Sequence, residues 1–221
     1  MKPCLPRDRH LVPHLKAPLG RVARALHARG IAADRVSVAG FGLGLGAVAA
    51  AAFGAPLVAL ALLLANRLAD GLDGELARLG TPTDAGAFLD ISLDFVFYAL
   101  FPLGFAIADP AANALPAAVL IASFVGTGAS FLAFSGQAAR HGITHPDFGY
   151  KGLYYLDGLA EGTETILCFV LMCLLPGAFA TIAWLFAALC GLTALNRIVS
   201  GYRTLTSVGG TASDNVYSRK R

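Results

Sequence analysis

Six long apolar runs, separated by short polar or glycine- and proline-containing breaks, give the chain its hydropathy pattern. They cover residues 36–56, 57–78, 86–107, 114–135, 161–176 and 178–200. A helix needs roughly 20 residues to cross the ~30 Å apolar core of a bilayer, and every run except the fifth reaches that length. Because a spanning segment must satisfy its own backbone hydrogen bonds, each run is expected to be helical. The pattern therefore predicts an all-α integral membrane protein with six transmembrane helices.

The chain is poor in charged residues. Of its 221 residues, 56% are hydrophobic and 14% are charged, and the mean hydropathy is +0.65. In soluble domains about a quarter of the residues are charged, so this chain has too few charged residues to cover a surface that faces water. The composition therefore agrees with a bilayer environment.

The basic residues fall on one side of the predicted bundle. Those before the first span are Lys2, Arg7, Arg9, Lys16, Arg21, Arg24, Arg29 and Arg35. The others are Arg67, Arg78, Arg140, Lys151, Arg197, Arg203, Arg219, Lys220 and Arg221. The outer turns, near residues 54–56, 108–114 and 176–177, contain no Lys or Arg. Since basic residues favour the inner side, both termini and the loop 137–160 are expected in the cytoplasm, at the cell inner membrane if the protein is bacterial.

The segment before the first span has an amphipathic pattern. Apolar residues recur at helical spacing opposite basic ones, at Leu15, Leu19, Val22, Leu26 and Ile31. This predicts a juxtamembrane helix on an anionic leaflet, with a simple positive tether as the alternative. A secretory signal peptide is disfavoured because about 35 residues precede a run of full span length. The net charge of +3 is accordingly a topology signal, and no nucleic-acid partner is expected.

One membrane domain with two flanking segments is expected. Residues 1–35 form the cytoplasmic N-terminal segment, residues 36–203 the six-helix domain, and residues 204–221 a disordered cytoplasmic tail rich in Ser, Thr and Gly. In the first span, glycines form two overlapping GxxxG spacings, which are typical of close helix packing. These glycines are Gly40, Gly42, Gly44 and Gly46.

Four carboxylates in the second and third runs are the main sign of chemistry. Asp70 and Asp73 are three residues apart and Asp90 and Asp94 are four apart, so each pair shares a helix face. A turn around Pro82 would bring the two pairs together near the cytoplasmic ends of the helices. An Asp at the centre of a span costs about 2.5–3.5 kcal/mol, and clustered carboxylates also repel one another. A cation must offset both costs, and a hard divalent ion is expected, because Mg²⁺ typically binds carboxylates together with substrate phosphates.

Other residues near these acids suit a nucleotide. Arg78 can bind phosphate, while Gly74, Ala77 and Gly86 keep side-chain bulk away from an approaching ligand. Simple ion pairing with two arginines is the alternative, but the acids outnumber the arginines. The acids are Asp70, Asp73, Glu75, Asp84, Asp90 and Asp94, and the arginines are Arg67 and Arg78.

At these positions the chain resembles the CDP-alcohol phosphatidyltransferase family, whose motif runs D-x2-D-G-x2-A-R, about eight residues, then G-x3-D-x3-D. The matching residues are Asp70, Asp73, Gly74, Ala77, Arg78, Gly86, Asp90 and Asp94. Only seven residues separate Arg78 from Gly86, which alters the expected hairpin geometry. The stretch GIAADRVSVAGFGLG is similar to a weakened P-N-x-x-T start of the first span, so the resemblance covers most of residues 30–203.

The resemblance implies transfer of a phosphatidyl or similar substituted phosphate group from a CDP-linked lipid donor to a small alcohol or alcohol phosphate, with release of CMP. Mg²⁺ or Mn²⁺, as two ions, would bind Asp70, Asp73, Asp90 and Asp94, and Asp94 would be the catalytic base. The CDP pocket would be lined by Gly74, Ala77, Arg78 and Gly86. Membrane lipids and, in a homodimer, a second copy of the chain are further expected partners.

Two other functions explain part of the pattern. A carboxylate-lined carrier of divalent cations or protons accounts for acids within spans, but not for the spacing of Gly74, Ala77 and Arg78. A family member that binds nucleotide without catalysis is a third possibility, disfavoured because no motif carboxylate is missing. Metal-dependent release of CMP distinguishes an enzyme from both.

Several polar residues outside the motif have open roles. They are His141, His145, Lys151, Glu161, Glu164, Arg197 and Arg203. The histidines are expected in a loop, since Gly142 and Pro146 oppose a helix there. The basic residues either bind an acceptor phosphate or set the topology, and the glutamates either contact the acceptor or provide negative charge at a helix N-terminus.

Overall fold

The computed structural model describes residues 12–141 and 162–218, and the side chains of residues 18–141 and 162–207. Within these ranges the chain is helical and contains no strand, which confirms the all-α prediction for this part of the chain. The helices are α1 (Val12–Ala28), α2 (Ala33–Ala52), α3 (Pro56–Leu79), α4 (Asp84–Ala108), α5 (Pro110–Arg140), α6 (Gly162–Leu174) and α7 (Phe179–Ser218). A 3-10 turn, Pro176–Ala178, precedes α7.

Helices α2 to α7 lie where the six apolar runs predict them. Among the described residues, however, four helical segments, rather than six, are long and apolar enough to cross a membrane. These are Ala33–Ala52, Asp84–Ala108, Pro110–Arg140 and Pro176–Ser207. Helix α3 has 24 residues, but its second half carries several charged side chains. Helix α6 has only 13 residues, which corresponds to about 20 Å of helix.

Two segments expected to be irregular begin as helix. Helix α5 continues to Arg140, inside the loop predicted at 137–160, and residues 142–160 of that loop lie outside the described residues. Helix α7 continues to Ser218, through most of the predicted tail. Early in that stretch the hydroxyls of Thr204 and Thr206 donate to the carbonyl oxygens four residues earlier, at 2.9 and 2.8 Å. These bonds satisfy polar side chains within the helix, so Ser/Thr-rich composition does not end it.

The described part of the chain divides into two compact units, one that ends at Gly104 and one that begins at Phe105. In the first unit, α2 packs closely on α3 at the glycines singled out in the sequence. A Cβ atom on Gly40 would lie 2.9 Å from the Cβ of Ala69 in α3. One on Gly44 would lie 3.3 Å from Nδ2 of Asn66 in α3 and 2.9 Å from the ring of Phe97 in α4. By contrast, nothing lies within 4 Å of a Cβ placed on Gly42. One of the two GxxxG spacings therefore mediates the close packing.

In the second unit, α5 packs along α7 around an aromatic core. Phe105 stacks on Phe179 with ring centroids 4.9 Å apart. Phe124 meets Phe169 and Phe186 edge-on at 6.2 and 6.1 Å. Such offset and edge-on pairs are the preferred arrangements of aromatic rings. The buried free thiols Cys168, Cys173 and Cys190 lie in the same unit.

The approach of α4 to α2 at Gly104 gives a test of this packing. A Cβ on Gly104 would lie 2.7 Å from the carbonyl oxygen of Val48, and backbone cannot move aside cheaply. Gly104→Ala is therefore expected to lower the free energy of unfolding by about 1–3 kcal/mol. The matched Gly42→Ala variant should be neutral or more stable by up to about 1 kcal/mol, because alanine favours a helix over glycine. Thermal unfolding of both variants in detergent measures the difference, and equal midpoints would contradict the packing described.

Candidate active site

The turn between α3 and α4 is built to bring two acidic helix ends together. Helix α3 ends at Leu79, and the Gly80 N–H donates to the carbonyl oxygen of Leu76 at 3.2 Å. Thr83 then caps α4, because its hydroxyl accepts the Gly86 N–H at 3.0 Å. The reversal takes only residues 80–83, so the acids of the last turns of α3 face those of the first turns of α4.

Three of the four motif carboxylates converge. Asp70, Asp73 and Asp90 each offer an oxygen atom, and these oxygens lie within 4.8 Å of one another. Asp73 is buried, Asp70 is half-buried and Asp90 is exposed. Among the residues with described side chains, no Lys or Arg lies within 4.0 Å of Asp73 or Asp90. Three convergent hard oxygen donors, of which only Asp70 has an arginine within 4.0 Å among the described side chains, are a set that fits Mg²⁺ or Mn²⁺.

Asp94 has a different environment from the other three acids. Its Oδ1 atom accepts a hydrogen bond from Nη2 of Arg67 at 2.9 Å, and it is not part of the three-carboxylate cluster. Arg67 also lies 3.7 Å from Asp70, whereas Arg78 pairs with Glu75 at 2.7 Å. Ion pairing thus offsets the negative charge of Asp94 and part of that of Asp70. Among the described side chains, Asp73 and Asp90 have no arginine partner.

Two adjoining cavities open at this cluster. The smaller, about 20 Å³, lies between the four motif carboxylates, Asn66 and Arg67. The larger, about 480 Å³, lies between the start of α2 and the α3–α4 turn and shares Ser37, Asp73 and Asp90 with the smaller one. Ligand sites for small molecules typically have volumes of about 300–1,000 Å³. The larger cavity therefore has the size of a nucleotide site.

Most of the predicted nucleotide-contacting residues line the larger cavity. Gly74, Ala77 and Gly86 do so, and a Cβ on Gly86 would come within 3.1 Å of both Asp34 and Thr83. A side chain on Gly86 would therefore narrow the cavity. Arg78 is the exception: its side chain is 63% exposed, and it lies outside the lining and beside Gly74.

Sequence reasoning did not identify Asp34 and Ser37 as site residues. They reach the cavity because α1 ends in a tight turn, in which Gly30 has a φ of +70° and the Ile31 N–H donates to the carbonyl oxygen of Leu26 at 3.1 Å. The chain then re-enters helix at Ala33, which places the first turn of α2 over the cluster. The available signal was the similarity of residues 30–44 to the family's start of the first span.

The larger cavity is acidic. Asp34, Asp73 and Asp90 line it, and His27 is its one basic lining residue. An anionic diphosphate would be repelled by such a surface unless a cation accompanied it. The electrostatics of the cavity therefore favour a ligand that binds together with divalent metal.

Four of the seven polar residues whose roles the sequence leaves open lie within the described residues. His141 lies in the turn after α5, and Glu164 lies exposed in the first turn of α6. Arg197 donates to the carbonyl oxygen of Thr127 at 3.4 Å, while Arg203 is exposed on α7. The others, His145, Lys151 and Glu161, lie outside the described residues.

The family profile of the CDP-alcohol phosphatidyltransferases matches residues 31–195, which is most of the chain and includes every residue of the motif. The chain therefore belongs to the CDP-alcohol phosphatidyltransferase family, as its resemblance to the motif indicates. Membership of this family indicates a CDP-alcohol phosphotransferase.

Among individual proteins, the chain is similar to the inner membrane protein YnjF of Escherichia coli (strain K12). The two are 53% identical over 201 residues, which is 91% of this chain and 98% of the relative. Together with the apolar helices, this similarity supports an integral membrane protein.

Among solved structures, the chain is similar to the phosphatidylinositol phosphate synthase PgsA1 of Mycobacterium tuberculosis with CDP-DAG bound. The TM-score is 0.61 at 21% identity, and the match covers 83% of this chain and 93% of the synthase. At this identity the similarity concerns the fold alone.

Proposed function

We propose that the chain transfers a phosphatidyl or similar substituted phosphate group from a CDP-linked donor, such as CDP-diacylglycerol, to an alcohol, with release of CMP, in phospholipid biosynthesis. One observation carries the proposal: three carboxylates converge at the edge of an acidic cavity of nucleotide size. Membership of the family and the shared fold with a CDP-DAG-bound synthase support it. The acceptor is a small alcohol or an alcohol phosphate.

Asp70, Asp73 and Asp90 fit Mg²⁺ or Mn²⁺, and we assign these residues as ligands of a two-ion site with Asp94 at its edge. The fit rests on their convergent oxygens, on the burial of Asp73 and on the scarcity of cations around the larger cavity. When bound, the metal would supply positive charge that offsets the negative charge of the diphosphate.

The residues around the cavity then have distinct tasks. Gly74, Ala77 and Gly86 allow the nucleotide to approach the backbone, and Arg78 at the rim binds a phosphate oxygen. Asp94 accepts the proton of the acceptor hydroxyl as its oxygen bonds to the phosphorus of the transferred group. The bond between that phosphorus and the CMP oxygen breaks, and CMP leaves with the bonding electrons.

We propose the membrane arrangement that the sequence predicts. Six helices span the bilayer as one domain over residues 36–203, α1 lies on the inner leaflet, and both termini are cytoplasmic. Helix α3 would span because its first half is apolar and its charged second half lies at the inner end, beside the cavity. In α1, Arg21 and Arg24 are exposed, whereas Ala23, which lies between them in the sequence, is buried in the first unit. A homodimer is part of the same proposal.

Metal binding and turnover are expected to separate in two variants of the purified protein. Asp73→Asn should lose Mn²⁺ binding and CMP release together, since it removes the buried carboxylate of the cluster. Asp94→Asn should bind Mn²⁺ and donor normally, while its kcat falls by about 10²–10⁴. Mn²⁺ titration by electron paramagnetic resonance and CMP release from CDP-diacylglycerol measure the two properties.

Glu75→Gln is the control for the Mn²⁺ titration, because it removes one negative charge from the same helix outside the cluster. Full CMP release in excess chelator would contradict the proposed function. Loss of Mn²⁺ binding in Asp94→Asn, to the same extent as in Asp73→Asn, would make Asp94 a metal ligand instead of the base.

The orientation is tested by labelling single cysteines in a background that lacks Cys4, Cys168, Cys173 and Cys190. Ala111→Cys lies exposed between α4 and the body of α5, and Thr81→Cys lies exposed in the α3–α4 turn. A membrane-impermeant maleimide added to intact cells should label the first position, and label the second only after permeabilisation, because all basic residues then face inward. Labelling of both positions from the same side contradicts the topology.

A further inference from the structure

Arg67 joins the two helices that carry the motif. Its Nη2 atom donates to Asp94 Oδ1 at 2.9 Å, and its Nη1 atom lies 3.7 Å from Asp70 Oδ2. Its Nε atom donates to Asn66 Oδ1 at 2.8 Å. Only 17% of the Arg67 side chain is exposed. A planar guanidinium that uses separate nitrogens for separate partners is fixed in orientation as well as in position.

The contacts behind Arg67 anchor it to a third helix. Buried Asn66 donates from Nδ2 to the carbonyl oxygen of Gly40 in α2 at 2.8 Å. The guanidinium carbon of Arg67 lies 5.5 Å from the ring centroid of Phe97 and 5.9 Å from that of Tyr98. A continuous polar chain therefore runs from the backbone of α2 through α3 to the Asp94 carboxylate of α4.

This chain of contacts divides the four carboxylates. Asp70, Asp73 and Asp90 converge, whereas Asp94 is bound to Arg67 and lies outside the cluster. We propose that Arg67 is a positioning residue, which holds Asp94 apart from the three-carboxylate cluster and places a positive charge against that cluster. The inference rests on the proposed function, since it gives Arg67 a task in the same site.

The proposal predicts two effects that can be measured separately. The geometry of Arg67 orients the carboxylate that receives the proton, so loss of that geometry lowers turnover. The charge of Arg67 opposes binding of a divalent cation beside Asp70, so loss of that charge strengthens metal binding. A residue that only supported the fold would, when removed, weaken metal binding and turnover together.

Three variants of the full-length protein in detergent separate charge from position. Arg67→Met is expected to bind Mn²⁺ about tenfold more tightly, because it removes the nearby positive charge. Its kcat should fall about 100-fold, with the KM for CDP-diacylglycerol changed less than about threefold, because Asp94 is misplaced. Arg67→Lys should restore wild-type Mn²⁺ affinity but not kcat, since an ammonium group cannot reproduce the planar set of donors. Asn66→Leu should likewise keep Mn²⁺ affinity and lower kcat.

Arg140→Met, which removes an exposed arginine at the end of α5, is the matched control for loss of one positive charge. Mn²⁺ binding by Arg67→Met that is equal to or weaker than that of the wild type overturns the proposal. If Arg67→Met fails to elute as a single folded species, the Mn²⁺ affinity and kcat of Arg67→Lys and Asn66→Leu test the proposal in its place. Unchanged Mn²⁺ affinity with reduced kcat supports the proposal, and parallel loss of both overturns it.

Failure of the proposed function has a different signature. A wild-type protein that binds Mn²⁺ but releases no CMP contradicts the transferase proposal, while the Mn²⁺ titration of Arg67→Met still decides the effect of charge. A wild-type protein that binds no Mn²⁺ overturns both.

Discussion

The mutual repulsion of carboxylates at one end of two neighbouring helices is the constraint on which the first unit depends. Two negative charges 4–5 Å apart repel by at most about 3–4 kcal/mol at an effective dielectric constant near 20. Solvent screens the pairs that involve half-buried Asp70 and exposed Asp90, so the three pairs of Asp70, Asp73 and Asp90 cost a part of the stability of a typical domain, which is about 5–15 kcal/mol. Arg67 relieves part of this cost, at Asp94 and Asp70. Divalent metal held by these carboxylates would offset the remainder, and this links the architecture to the metal-dependent chemistry that we propose.

The surrounding structure keeps the acids in place despite that repulsion. Gly40 and Gly44 let α2 approach closely enough for Asn66 to bond to the α2 backbone, which anchors the arginine. The capped turn at Thr83 fixes the start of α4, and hence the height of Asp90 relative to the α3 acids. The same turn and the first residues of α2 enclose the larger cavity, so one set of contacts positions both the three-carboxylate cluster and the adjoining nucleotide-sized space.

Much of this site could be predicted from the sequence, because its main determinants are local. Spacings of three and four residues place side chains on one helix face wherever the helix lies, and short turns bring neighbouring helices together. The ion-pair partner of Arg67 could not be predicted from the sequence. Asp70, Asp90 and Asp94 are all possible partners, and the choice among them depends on distances between helices. Asp34 enters the cavity through a turn whose geometry the composition does not reveal. Hydropathy likewise leaves open whether the charged half of α3 belongs to a span.

Binding of divalent metal by Asp70, Asp73 and Asp90 beside a CDP-linked donor is the core of the proposed function. It is tested most directly by an experimental structure of the protein with Mn²⁺ and CDP-diacylglycerol, in which anomalous scattering locates the metal. We expect anomalous peaks among the carboxylate oxygens of these residues, with the donor's diphosphate in contact with the metal and its cytidine in the larger cavity. Donor density in that cavity without an anomalous peak at the three carboxylates would contradict it.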